Sequence, residues 1–235
     1  MIILIIILSL IVFLLIFKIP KRIYYKYKSI KCIKSGFYDD ALKYYDLLIK
    51  INNKKIATYY SNKAYILIIQ NKPSEALVYC KKALKEKPKD YYCHVALLYY
   101  FMATRNYTDL IKYSVITGNL NSKTVTPYLC KSYAYLHTKE YSKLINCLTI
   151  ICDNSTLSIK QAEYWLKENA RIFNFADDLY MLSSVLKLLQ KDYDGFYAEL
   201  SKVPFDKADY IDFLDTEIFD AVRKEKRFQE ILKEV

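Results

Sequence analysis

Tyr65, Tyr99 and Tyr133 stand 34 residues apart, and their surroundings share the interval. Ala76, Leu110 and Leu144 keep it eleven positions further on, as do Tyr79 and Tyr113. A fixed period of this length points to a helix-turn-helix unit that cannot bury its apolar face alone and does so by stacking on its neighbours. The rest of the sequence agrees with helices. It holds only 3 Gly and 5 Pro in 235 residues, and period-2 alternation bounded by turn clusters is hard to find. The spacing predicts an all-α chain, a solenoid of antiparallel helix pairs.

The first 17 residues, MIILIIILSLIVFLLIF, carry no charge and one polar side chain, Ser9. At about 1.5 Å per residue they reach roughly 25 Å, the short end of what crosses a bilayer, and Lys18 can snorkel to extend that reach. No basic residue precedes the run, and no A-x-A-like site follows it. It is therefore read as a retained single transmembrane anchor over residues 1–19 rather than a cleaved signal peptide. Lys18, Lys21, Arg22, Lys26, Lys28, Lys31 and Lys34 all come before the first acid, Asp39. Cations beside a span stay on the cytoplasmic side, which predicts a single-pass membrane protein with a cytoplasmic C-terminal domain.

The net charge of +11 divides into +8 over residues 18–56, +7 over 57–156 and −4 over 157–235. A basic end beside an anionic leaflet fits the first segment, with Lys18, Lys21, Arg22, Lys26 and Lys28 as its membrane-surface residues. Few of the cations are Arg and no recognition motif accompanies them, so no nucleic-acid partner is expected. The six cysteines form no CxxC pair and fall inside helical patterns, where they read as small buried hydrophobes.

The clearest repeat is ATYYSNKAYILIIQNKPSEALVYCKKALKEKPKD, residues 57–90. It supplies Tyr60, Ala64, Leu67, Ala76, Cys80, Ala83 and Pro88 at positions 4, 8, 11, 20, 24, 27 and 32. This pattern resembles the tetratricopeptide repeat, in which small residues let the paired helices cross closely and the proline ends the second one. Three further repeats follow the same register. Residues 22–55 supply Tyr25, Ser29, Cys32, Ala41 and Tyr45; residues 91–124 supply Leu98, Phe101 and Tyr107; residues 125–158 supply Ser132, Tyr135, Tyr141 and Leu144. In the third, Leu110 replaces the small residue and Gly118 is expected to interrupt the second helix. Residues 20–158 are thus four units. Residues 159–235 form a degenerate repeat, in which QAEYWLKENARIF pairs with ADDLYMLSSVLKLLQ, and a C-terminal cap.

The resemblance implies a right-handed solenoid whose inner groove is lined by positions 2, 5, 9, 12 and 13 of each first helix. The residues predicted there to meet a partner are Tyr65, Ile68, Ile69, Tyr92, Tyr99, Met102, Leu129, Tyr133, Leu136 and His137. Such a face suits an amphipathic helix or an extended segment of a protein partner. The same side chains could instead be covered by the chain's own C-terminal helices. His94 falls at a packing position. No HExxH, phosphate loop or G-x-S-x-G occurs, so neither catalysis, a cofactor, a metal nor a small-molecule substrate is expected. The chain reads as a membrane-tethered protein-protein interaction scaffold, or else as a structural subunit of a membrane-associated secretion or envelope-assembly complex.

Overall fold

A computed structural model of the chain describes residues 21–51, 53–173, 175–204 and 210–234. Among these residues no helix is long and apolar enough to cross a membrane. The predicted anchor, with Lys18, lies outside the described residues. All regular structure among them is helical. The chain divides into two compact bodies, residues 1–88 and 89–235.

In the first body, α1 (Lys21–Lys34) pairs with α2 (Tyr38–Ile51), and α3 (Ile56–Ile69) pairs with α4 (Pro73–Glu86). Pro73 opens α4 at a position where the missing N–H has no intrahelical acceptor to lose. The core gathers Ala41, Tyr45, Leu48, Tyr59 and Ile66, with Tyr25, Cys32 and Ile33 of α1 packed against it. One cation is buried with them. Lys63 meets the Asp46 carboxylate, and its ammonium lies 4.4 Å from the centre of the Tyr79 ring. Burial pulls the pKa of Lys63 down, but hydrogen bonds to Asp46 and Tyr79 outweigh it and hold the ammonium above its ordinary range.

In the second body, α5 (Tyr91–Ala103) pairs with α6 (Tyr107–Leu120), and α7 (Thr126–His137) with α8 (Tyr141–Asp153). Then α9 (Ile159–Ala170) intervenes, and α10 (Ala176–Leu189) pairs with α11 (Tyr193–Leu200). The principal partner of α10 is thus α11, whereas the sequence pattern pairs it with α9. The short α12 (Ile211–Leu214) and the final α13 (Lys226–Glu234) close the chain. Phe196, Phe213, Phe219 and Phe228 are fully buried there, with ring centres 5.4–6.3 Å apart in successive pairs. These rings give the last pair the apolar covering that a further repeat would otherwise supply.

One turn recurs through both bodies. Gly36, Asn71, Arg105, Lys139 and Lys191 have φ of 76°, 57°, 54°, 57° and 60°. Each follows the first helix of a pair. The next residue donates its N–H back across the turn: Phe37 to Cys32 O, Lys72 to Leu67 O, Asn106 to Phe101 O, Glu140 to Tyr135 O and Asp192 to Lys187 O, at 2.8–3.0 Å. This is the six-to-one bond of a left-handed helix cap, which satisfies carbonyls that a helix end otherwise leaves open. In the four repeats the acceptor is always position 11. The α10–α11 pair closes identically and is therefore a fifth repeat, displaced in sequence by the inserted α9.

Burial follows the register. Ser29, Ala41, Ala64, Ala76, Cys80, Ala83, Leu98, Leu110, Ser132 and Leu144 have no exposed surface. Leu110 is accommodated where the pattern favours a small residue. Gly118 does not interrupt α6, which runs through it to Leu120. A Cβ at that position would meet only Pro127 Cβ at 3.7 Å. Glycine inside a helix is tolerated at about 1 kcal/mol relative to alanine, and the surrounding packing outweighs that.

Only one of the five left-handed positions holds glycine, and Arg105 and Lys191 carry a Cβ in a conformation that disfavours it. Arg105→Gly and Lys191→Gly should each raise stability by about 0.5–1 kcal/mol, and Arg105→Val should lower it. Urea unfolding of the full chain followed by circular dichroism checks both signs.

Candidate functional site

The residues expected to line the groove or to meet a membrane surface separate into three groups. In the second body, Tyr99 and Tyr133 stand at equivalent positions on α5 and α7, which are neighbours, and α7 in turn neighbours α10. The start of α5 is held by Asp90, whose carboxylate accepts from the N–H groups of Tyr92 and Cys93 at 3.0 and 3.3 Å. The rings at these positions are covered by the chain itself. Trp165 of α9 stacks on Tyr99 at 6.1 Å with 11° between planes, and Phe173 stacks on it at 5.6 Å. Phe173 and Phe175, in the α9–α10 connection, stack on each other at 4.9 Å and 8°. Phe175 packs on Tyr133 at 5.1 Å; Tyr133 meets the His137 ring edge-on at 4.8 Å; His137 stacks on Tyr107 at 4.8 Å and 8°. Seven rings form one continuous ladder.

The ladder ends in polar groups. His137 Nε2 lies 3.1 Å from Asp178 Oδ2, and the Tyr210 hydroxyl donates to Asp178 Oδ1 at 2.7 Å. These two bonds tie α10 and the approach to α12 to the end of α7. Burial, and secondarily the Asp178 carboxylate, pushes the Tyr133 phenol far above its ordinary range, so it remains neutral. Outside the ladder, Lys139 pairs with Asp212 at 2.7 Å.

Tyr133 is 1% exposed, and Met102, Leu129 and Leu136 are buried with it. These four are core residues and present no surface to a partner, which corrects the expectation of an open contact face. Met102 Sδ instead accepts from the Cys130 thiol at 3.5 Å. Tyr99 and His137 are half-buried within the ladder. A second group keeps some exposed area: Tyr92 is 68% exposed at the start of α5, and in the first body Tyr65 and Ile69 are half-buried on α3, where Ile68 is buried. The third group is basic. Lys21, Arg22 and Lys26 are exposed on α1, and Lys28 lies 5.5 Å from the centre of the Tyr24 ring.

The repeat register does not reach Trp165, Phe173, Phe175, Asp178 and Tyr210. A signal was there: the one Trp of the chain and a Phe-x-Phe pair fall in the stretch where the repeat register lapses. His94 is buried, its ring 6.4 Å from Tyr113, as a packing residue. Among the described residues no group of three or more His, Cys, Asp or Glu is placed to hold a metal ion. Cys80, Cys93, Cys130 and Cys147 are buried thiols that form no disulfide.

No protein-family model matches the sequence, and no curated protein matches it. Solved structures do match. A tetratricopeptide repeat protein from Parabacteroides merdae superposes with a TM-score of 0.51 at 15% identity, over 91% of this chain and 91% of that one. Pseudomonas aeruginosa pilF superposes with a TM-score of 0.51 at 12% identity, over 92% and 98%. At these identities the likeness is one of fold, and that fold is the tetratricopeptide solenoid.

If Tyr133 is a core ring, Tyr133→Ala should destabilise the protein by about 3–5 kcal/mol, the range for deleting a buried aromatic side chain. A free groove residue would change stability by less than about 0.5 kcal/mol. Urea unfolding of the two proteins separates the cases.

Proposed function

We propose that this tetratricopeptide-fold chain is a membrane-tethered module that holds a protein partner at the cytoplasmic face of a bilayer. The observation that supports an interaction role most directly is the fivefold recurrence of one helix pair with one turn. Such an array spends its apolar residues on stacking, and it offers long helical surfaces whose exposed side chains can vary without disturbing the fold. The solved structures that share the fold support the same reading.

The partner surface we assign consists of side chains of the first helices that keep exposed area. Tyr65 and Ile69 supply it in residues 1–88, and Tyr92 supplies a separate contact in residues 89–235. Tyrosine suits this use, since its ring gives contact area at low entropy cost and its hydroxyl reaches backbone groups of a bound segment. The covered face of α5 and α7 is occupied by Trp165, Phe173 and Phe175.

The tether is the apolar run of residues 1–17, followed at once by cations that favour the cytoplasmic side. Holding one partner at a membrane converts a later encounter into an effectively intramolecular one. That is all the mechanism requires, and no bond-making step enters it.

Two measurements test this. The full chain should stay with membranes through alkaline carbonate, and deletion of residues 2–17 should release it; carbonate release of the intact chain would defeat the tether. A photoreactive side chain at position 65 or 92 should crosslink to a second polypeptide in native membranes, while one at position 99 should give only internal crosslinks. Capture at 99 with none at 65 or 92 would show that the partner enters the face covered by the ring ladder.

A further inference from the structure

The fold leaves one face of α1 without a use. The helix packs on α2 through Tyr25, Ser29, Cys32 and Ile33, and the Tyr25 ring lies 6.1 Å from that of Tyr44. Positions 25, 29 and 32 make one stripe at helical spacing. Positions 23, 27, 30 and 34 make a second at the same spacing, on the opposite side. That side should be polar if it simply met water. It carries Ile23 at 53% exposure, Tyr24 at 46%, Tyr27 at 61% and Ile30 at 41%. The helix is thus apolar on both sides, and the core accounts for only one.

The charge on α1 is as one-sided as its apolar surface. Lys21, Arg22, Lys26, Lys28, Lys31 and Lys34 fall within its 14 residues, with no acid among them. Among the described residues these cations take part in no salt bridge. Lys26, Lys31 and Lys34 stand beside or within the exposed apolar stripe, so a surface that meets the stripe also meets their ammonium groups. A protein partner would have to present apolar side chains interleaved with several carboxylates. A bilayer rich in anionic lipid presents acyl chains beneath a sheet of phosphates, in the order this face requires.

Connectivity favours the same occupant. Only Lys18, Ile19 and Pro20 separate the 17-residue apolar run from α1. A linker of this length spans on the order of 10 Å, so a chain tethered by that run has α1 within reach of the headgroups. Tyrosine is favoured at that depth because one end of its ring is apolar and the other is wet. Lysine stems can lie along the apolar zone with their charges in the headgroup layer.

We infer that α1 lies along an anionic lipid surface, with Ile23, Tyr24, Tyr27 and Ile30 entering the interface and Lys26, Lys31 and Lys34 engaging lipid phosphates. The inference rests on the tether proposed above and adds to it a lipid class and an orientation. It makes α1 a basic interfacial helix on one side and the first packing helix of the solenoid on the other.

The test uses the full chain carrying Tyr27→Trp, reconstituted into vesicles with brominated acyl chains. The vesicles contain phosphatidylcholine alone or phosphatidylcholine with phosphatidylglycerol. Trp165 is the one native tryptophan and is buried, so the unsubstituted chain supplies the baseline. In phosphatidylglycerol vesicles the added emission should be blue-shifted and quenched by bromine. The quenching should be lost when Lys26, Lys31 and Lys34 are all changed to Glu, and should weaken in phosphatidylcholine alone. Unquenched emission in both vesicles, from a chain that still resists carbonate, would overturn the inference while sparing the tether, and would point to a protein or a second copy on this face. Equal quenching in both vesicles and in the charge-reversed chain would overturn the anionic requirement. If the tether alone failed, the chain would be released by carbonate yet still be quenched in phosphatidylglycerol vesicles, and salt would reverse that quenching.

Discussion

The left-handed turn that closes each helix pair is the constraint from which the rest of this structure follows. A helix must end somewhere, and its last carbonyls need donors. Here they find them through a residue at positive φ followed by an N–H returned to the carbonyl five residues back, five times over. Because the turn has a fixed length and hand, it sets the phase between the two helices. The phase decides which side chains meet within the pair, which meet the next pair, and which face outward. Ser29, Ala64 and Ser132, at one position of the phase, are all fully buried, although they share little beyond small size. The identity of the turn residue matters less than its geometry, since Gly, Asn, Arg and Lys all occupy it.

That tolerance explains what was and was not legible in the amino-acid sequence. The 34-residue interval is visible because buried positions are chemically restricted, so Tyr99 and Tyr133, or Leu110 and Leu144, repeat as letters. The turn is nearly invisible because only Gly36 and Asn71 look like turn residues. The fifth pair is hidden in the sequence for the same reason: α9 breaks the interval, and Lys191 does not announce a left-handed cap. Gly118 misled in the opposite direction. A helix breaker by propensity, it sits inside α6, where tertiary packing outweighs a local cost of about 1 kcal/mol.

The candidate site shows a limit of another kind. Position 9 of a repeat faces inward whether that side is empty or filled, so periodicity could place Tyr99 and Tyr133 but could not say what meets them. What meets them is Trp165, Phe173 and Phe175, from a stretch whose register differs from that of the repeats. An insertion between repeats thus becomes the occupant of the face the repeats create. His137, Asp178 and Tyr210 then fasten the far end of that packing with two hydrogen bonds. The proposed partner surface accordingly lies at Tyr65 and Ile69 in one body and at Tyr92 in the other, and the basic, apolar outer side of α1 is proposed to meet lipid.

The closure of that inner face has a reporter within the chain itself. Trp165 is 8% exposed and stacked on Tyr99. Acrylamide quenching of tryptophan fluorescence should therefore be slow in the native full chain and rise sharply in urea. It should also rise in a Phe173→Ala, Phe175→Ala variant that keeps its helical circular dichroism. Native quenching as fast as that of the unfolded chain would mean that the aromatic ladder is not formed, and that the face of α5 and α7 stands open.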